Sequence, residues 1–282
     1  MKIGFHVSIS GSIDLAVDRA VALGCNTFQI FTRNPRGWRA RPLREEEVKA
    51  FKEKRSMAGL EPAYAHTPYL INLASPREEV YTRSIEALMV DIERCRSLEV
   101  PYLVTHLGSH LGSGFELGVE RLLEAINKSL ARAGDAVMIL LENGSGSAHQ
   151  IGSNLEDLRR IIEGVDKPSQ VAVCLDTCHA FAAGYEFRNP KGLEKTLKAI
   201  EDVIGFEKLR LIHLNDSRGG LGSGVDHHEH IGLGEIGEKG FSLILHSRLA
   251  ELPMILETPM DGRRSDMENL RKVWELASKA SD

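Results

Sequence analysis

Eight short apolar runs alternate with longer stretches of helical periodicity along 282 residues, and no linker interrupts them. The third to eighth of these runs each carry His, Glu or Asp at or near their ends. Such alternation joins parallel strands through helical crossovers. Eight units in one chain predict an α/β fold of the (β/α)8 type, a TIM barrel formed as a single domain over residues 1–282. An open, doubly wound sheet with extra strands is the alternative.

The predicted strands are Ile3–Val7, Thr27–Phe31, Pro62–His66, Tyr102–His106, Val137–Glu142, Val171–Asp176, Leu211–Asn215 and Met254–Glu257. Between the first two, Ile13–Leu23 is apolar at positions 13, 16, 17, 20, 21 and 23, with Ser12 as its expected cap. Glu79–Leu98 carries Ile85, Leu88, Met89, Ile92 and Cys95 on one stripe. Phe115–Ala131, Leu155–Val165, Gly192–Val203, Phe241–Leu249 and Arg264–Ala277 repeat the pattern. Gly24, Gly59, Gly134 and Gly164 stand where left-handed helix ends are expected. Lys52, Lys54 and Arg55 read as a solvated helix face.

Hydrophobic residues make up 42% and charged residues 27%, a balance that suits a folded chain. A net charge of −5 excludes a protein that holds nucleic acid by bulk positive charge, but not one with a local basic rim. The opening MKIGFHVS reads as a strand rather than a secretory signal. No window approaches 18 uncharged apolar residues, so no membrane association is expected. Cys25, Cys95, Cys174 and Cys178 are too few for a disulfide scaffold, and the last two lack zinc-knuckle spacing. They read as buried small hydrophobes of a reducing compartment, which makes the cytoplasm the expected location.

His66, His106, Glu142, Asp176, His213 and Glu257 stand at or near the ends of the third to eighth strands at intervals of 40, 36, 34, 37 and 44 residues. The C-terminal ends of barrel strands open on one face, so these side chains are expected to converge at one mouth. A lone His or acid at a strand end is ordinarily a hydrogen-bonding or capping residue. Recurrence in phase with the fold's own period argues for a shared site instead. His179 lies three residues beyond Asp176, and Asp226 and His228 point the same way in an extended seventh loop. Five imidazoles and four carboxylates suit zinc, with manganese or iron as substitutes, better than magnesium alone. Nine donors exceed the needs of one ion, and a carboxylate can bridge, so two or three ions fit.

His6 ends the first strand and reads as a plain structural residue, with lining the mouth or orienting a ligand from behind as the alternatives. His110, His149 and His246 read as loop or helix residues outside the chemistry. His227 and His230 read as solvated, with a phosphate contact as the alternative. The string His227-His228-Glu229-His230 is not HExxH, neither Gly108–Gly114 nor Gly219–Gly224 ends in GK[ST], and no GxGxxG follows the first strand. A helix-borne protease site, a P-loop and a dinucleotide fingerprint are thereby excluded.

The second loop concentrates Arg33, Arg36, Arg39 and Arg41 around Trp38, and the third adds Tyr69 and Leu70. Arginines beside an aromatic wedge can grip phosphates and fill a gap in stacked bases. A salt-bridged loop with Trp38 packed on the barrel is the alternative.

The segments GFHVS, FTRNPRGWR, HTPYLINLA, THLGSH, LLENGSG, CLDTCHAFAAGY, HLNDSRGGLGSGVDHHEHIGLGEIG and ILETP occur in that order from end to end of the chain. Together they closely resemble the signatures of the endonuclease IV family of apurinic/apyrimidinic endonucleases. The resemblance implies three zinc ions. His66, His106 and Glu142 match the ligands of the first; Glu142 also bridges to the second, with Asp176, His213 and Glu257. His179, Asp226 and His228 match the third set. It implies cleavage of the phosphodiester 5′ to an abasic deoxyribose, leaving a 3′-hydroxyl and a 5′-deoxyribose phosphate, and removal of 3′ blocking groups. Glu142 is then expected to hold the attacking water and Glu257 to help deprotonate or align it. Arg36, Tyr69 and Leu70 match residues that enter the DNA at the lesion. The expected partner is double-stranded DNA with abasic sites or blocked 3′ ends, met by a monomer in the cytoplasm at the nucleoid. Two rivals remain: a sugar isomerase or epimerase on the same barrel, which would lack the third metal set, and a non-catalytic damage-binding module.

Overall fold

A computed structural model describes residues 1–134 and 136–279. In chain order the elements are β1 (Ile3–Phe5), α1 (Leu15–Ala22), β2 (Phe28–Phe31), α2 (Glu45–Ala58), β3 (Ala63–His66), α3 (Glu78–Leu98), β4 (Tyr102–His106) and α4 (Phe115–Ala133). Then come β5 (Met138–Glu142), α5 (Leu155–Gly164), β6 (Val171–Asp176), α6 (Thr177–Ala182), α7 (Pro190–Val203) and β7 (Leu209–His213). The last are β8 (Asp216–Ser217), β9 (His228–Glu229), α8 (Gly237–Leu245), β10 (Met254–Leu256) and α9 (Asp266–Ser278).

Eight strands form one parallel sheet in the order β1-β10-β7-β6-β5-β4-β3-β2. A parallel bridge between His6 and Gln29 joins its two ends, so the sheet closes into the predicted barrel rather than the open alternative. The Val7 N–H donates to the Gln29 carbonyl (2.8 Å), and the Asn26 N–H to that of Ile3 (3.1 Å). The seam is tight because residue 4 is glycine: a Cβ there would collide with the Thr27 carbonyl.

Strand alternation divides the core into two. Ile3, Phe5, Phe28, Ile30, Leu103, Ile139 and Val173 pack outward against the helices. Tyr64, Val104, Leu140, Ala172, Cys174, Leu211 and Ile255 fill the barrel interior, where Tyr64 stacks on Tyr102 at 5.2 Å. Stepping two residues up β3, β4, β5, β6, β7 and β10 from this plug reaches His66, His106, Glu142, Asp176, His213 and Glu257. The period of two that buries the plug therefore aims those six side chains into the mouth.

Several predicted boundaries move for identifiable reasons. The seventh strand is Leu209–His213, not Leu211–Asn215, because the Asn215 N–H is taken by the Thr177 hydroxyl (2.9 Å) and a register shift at Val173/Cys174 moves the pairing. The eighth ends before Glu257, whose N–H donates to Asn215 Oδ1 (2.8 Å). The first helix begins at Leu15, and Ser12 does not cap it; that hydroxyl donates to Asp14 and Glu47. α8 spans 237–245 rather than 241–249, and a single 3-10 turn, Arg248–Glu251, follows it. Gly24 and Gly59 have left-handed φ values of 78° and 63°, and Gly134 has a φ of 59°. Gly164 instead stays inside α5, where its missing side chain makes room for Leu123 of α4. Arg55 is no solvated residue: it is buried in α2, donating to Glu61 (2.9 Å) and to the Leu98 carbonyl (3.1 Å). The four cysteines are free and buried. Among the described residues, no helix is long and apolar enough to cross a membrane.

Gly4→Ala is expected to lower stability by about 3 kcal/mol, because an added methyl cannot fit a close-packed seam without backbone movement. Urea unfolding of the variant checks this; an unchanged midpoint would mean that the seam is looser than described.

Candidate metal centre

Seven of the nine predicted donors line one cleft of about 430 Å³ at the C-terminal mouth, and the buried Asp176 and His213 cluster with them. Three clusters contain all of them: His66 with His106 and Glu142; Glu142 with Asp176, His213 and Glu257; and His179 with Asp226 and His228. Glu142 is central. Its Oε2 lies 2.9 Å from His66 Nε2 and 3.2 Å from His106 Nδ1, while its Oε1 lies 3.1 Å from His213 Nδ1.

Each element has a local reason for its place. Asp176 ends β6 and caps α6, its Oδ1 accepting from the His179 N–H (2.8 Å). The short helix α6, absent from the predicted elements, turns His179 back over the mouth. Its Nε2 reaches Asp226 Oδ1 at 2.9 Å. The antiparallel ribbon β8–β9, also not anticipated, sets His228 at the mouth, with Nε2 3.5 Å from Asp176 Oδ2. Asn215 donates to Asp176 Oδ2 (2.7 Å), and Asn143 Oδ1 accepts from the Asp176 N–H (2.7 Å).

The protons decide what this centre can hold. His66 Nδ1–H donates to the Thr67 carbonyl (2.6 Å), His179 Nδ1–H to that of Asn143 (3.0 Å), and His228 Nδ1–H to that of Glu257 (3.1 Å). His213 Nε2–H donates to Gln29 Oε1 (2.9 Å). In the neutral ring the second nitrogen of each is then a bare lone pair, and each is aimed at a carboxylate. His228 Nε2 is buried with no hydrogen-bond partner. Lone pairs facing lone pairs repel, and a cation placed between them relieves this; imidazoles held from behind by carbonyls are built that way in metal sites.

The electrostatics agree. Burial opposes charge on His179, but Asp176, Asp226 and Glu142 overcome it and push its pKa up to about 10. His66 and His213 are also raised against burial, His66 chiefly by Glu142, and His213 by the carboxylates of Glu257 and Glu142. Burial likewise opposes ionisation of Glu142 and Glu257. Neighbouring imidazoles, His106 and His213 for Glu142 and His213 and His6 for Glu257, hold both well below the usual carboxylate range. The cage favours positive charge at its centre. Cys178 also lies near Asp176 and His228, but burial pushes its thiol up, so it stays protonated and is no match for the nitrogen and oxygen donors.

The fold now has counterparts. A family model described as a xylose isomerase-like TIM barrel matches residues 17–277. A protein of Methanoculleus marisnigri named probable endonuclease 4 is 52% identical over 277 residues, which cover 98% of each chain. The crystal structure of endonuclease IV from Thermus thermophilus superposes with a TM-score of 0.88 at 38% identity, over 99% of this chain and 100% of that one. The chain belongs to the endonuclease IV family. A D-tagatose 3-epimerase-like protein reaches a TM-score of 0.72 at 20% identity over 98% of each chain, a likeness of fold alone. As an endonuclease IV-type protein, the chain is a metal-dependent hydrolase.

The rim of this endonuclease IV barrel differs from the expected arginine patch. Arg33 is buried, paired with Asp91 at 3.0 Å, and donates to the Gly37 carbonyl (2.8 Å). Arg41 is paired bidentately with Glu47 (2.7 and 2.6 Å). Trp38 packs against the barrel. These three anchor the loop, leaving Arg36 and Arg39 exposed. Tyr69 and Leu70 also stand exposed, Tyr69 edge-on to Phe31 at 5.3 Å. His6 reaches Glu257 Oε1 at 3.2 Å, and His227 lines the cleft. His230 is not solvated: it is buried, bonding Asp261 (3.0 Å) and Asn269 (2.9 Å). His110 and His149 meet edge-on, away from the nine, and exposed His246 donates to the Ser242 carbonyl. Sequence reading missed Gln29, an uncharged residue two positions short of its strand end.

Because Glu142 contacts two donor sets, Glu142→Gln is expected to lose more than one equivalent of metal on dialysis. Elemental analysis per folded chain checks this; retention of a full complement would contradict the shared position.

Proposed function

We propose that this chain is a DNA-repair endonuclease holding three zinc ions, with manganese or iron as substitutes. It cleaves the phosphodiester 5′ to an abasic site, leaving a 3′-hydroxyl and a 5′-deoxyribose phosphate, and it clears blocked 3′ ends. The observation that carries this reading is the set of nine donors with four bare imidazole nitrogens aimed at carboxylates. Endonuclease IV relatives matched over nearly the whole chain support it.

In this reading His66, His106 and Glu142 hold the first ion. Glu142, Asp176, His213 and Glu257 hold the second, and His179, Asp226 and His228 the third. Bound divalent ions lower the pKa of water and offset charge on phosphoryl oxygens. Glu142 orients the attacking water, and Glu257 accepts or steers its proton. Exposed Arg36 enters the DNA at the lesion with Tyr69 and Leu70, and Arg36 and Tyr69 occupy the space of the missing base. Tyr69 and Leu70, 71% and 38% exposed, are free to fill the gap left in the base stack. An abasic nucleotide has already lost its stacking and pairing, so turning it out of the helix costs less than turning out an intact one. The partner is double-stranded DNA, and the chain, one barrel domain over 1–282, works as a monomer in the cytoplasm at the nucleoid.

A duplex carrying one tetrahydrofuran abasic analogue tests the reading, because this analogue cannot undergo β-elimination. A nick 5′ to the analogue is expected, lost after prolonged chelation and restored by zinc. Tight binding without a nick by the zinc-loaded protein would indicate a damage-binding module; neither binding nor a nick would point to sugar isomerisation.

Arg36→Ala should weaken duplex binding and make its log–log salt dependence shallower by about one. Its unfolding free energy should stay within about 0.5 kcal/mol of wild type. Binding isotherms at several salt concentrations, with urea unfolding alongside, check this; an unchanged salt slope would remove Arg36 from the cationic groups that meet the DNA.

A further inference from the structure

Of the two barrel strands that carry none of the nine donors, β1 and β2, the second reaches the centre through Gln29. This residue is fully buried and forms half of the bridge that closes the barrel. Its Oε1 lies 2.9 Å from Nε2 of His213, and its Nε2 lies 2.8 Å from Oε1 of Glu257. Only one amide orientation satisfies both contacts. Reversed, the amide oxygen would face a carboxylate oxygen, acceptor against acceptor.

The orientation dictates the tautomer of His213. With Gln29 Oε1 accepting, the ring proton sits on Nε2. Nδ1 is then bare, 3.1 Å from Glu142 Oε1 and 3.4 Å from Glu257 Oε2. The same amide separates the two oxygens of Glu257. Oε1 is held by the Gln29 amide, and Oε2 is left for the cluster. Gln29 Nε2 also lies 2.9 Å from His6 Nδ1, which itself lies 3.2 Å from Glu257 Oε1.

We infer that Gln29 is a positioning residue of the metal centre, fixing the tautomer of His213 and the direction of Glu257 with one side chain. The inference rests on the metal-dependent reading above, but its test reads metal retention rather than DNA cleavage. The side chains nearest to glutamine in size or chemistry do not do both tasks. Glutamate would set a second carboxylate against Glu257. Asparagine is one methylene too short to span the pair. Methionine keeps the length and volume but has no proton for Glu257 and only a weak acceptor for His213.

Gln29→Met is therefore the informative variant. Zinc content, zinc affinity by chelator competition, the thermal midpoint of the metal-free protein, and kcat and KM on the tetrahydrofuran duplex would be measured beside wild type. Zinc affinity is expected to fall by about 10–100-fold, with kcat reduced and KM for the duplex unchanged. A lower metal-free midpoint with wild-type zinc affinity would overturn the inference, since packing alone would explain it. Long-range ¹H–¹⁵N spectra of the zinc-loaded wild type need no variant: a proton on Nε2 of His213 supports the role, and one on Nδ1 overturns it. A wild-type protein that held zinc but left the duplex uncut would count against the proposed function alone. Weakened retention in Gln29→Met would still support the role of Gln29.

Discussion

Four imidazoles at the barrel mouth each commit one ring nitrogen to an oxygen acceptor and turn the other toward a carboxylate. For His66, His179 and His228 the acceptor is a backbone carbonyl, and for His213 it is Gln29. Acceptors that face acceptors cannot bond without a proton or a metal cation between them. Rings held in this way cannot rotate to escape, so the demand for positive charge is built into the backbone. The direction of the titration shifts follows from it: His66, His179 and His213 rise and Glu142 and Glu257 fall, all against the effect of burial.

The barrel sustains that arrangement by combining closure with alternation. Parallel strands place neighbouring ends level, as His106 beside Glu142 and Asp176 beside His213. The plug beneath, from Tyr64 to Ile255, excludes water and keeps the inward side chains in register. Side chains that end strands also tie them together. Asn215 accepts from the Glu257 N–H and donates to Asp176, and Asn143 pairs with the Asp176 backbone. The scaffold of the site and the termination of the sheet are thus one hydrogen-bond network.

The strand-end donors were legible because their spacing repeats the βα unit, and because a period of two points them all inward. α2 was legible only as a charged face, since its buried positions include Glu47 and Arg55 beside Phe51, so no apolar stripe marks it. The rim misled for a related reason. Arginine composition cannot distinguish a free guanidinium from one neutralised by a distant acid, and Asp91, which buries Arg33, lies 58 residues away. Gln29 was invisible because an uncharged amide in a strand carries no chemical signature until its three partners, from β7 and from just beyond β1 and β10, are brought around it. α6 and the β8–β9 ribbon are too short to show periodicity.

The most direct test of the centre is anomalous diffraction at the zinc edge from crystals of protein purified without added metal. Three peaks are expected, each about 2.0–2.1 Å from the bare imidazole nitrogens of its set. A centre without peaks, with those imidazoles bonded directly to Glu142, Asp176 and Asp226, would contradict the claim that the mouth is built around cations.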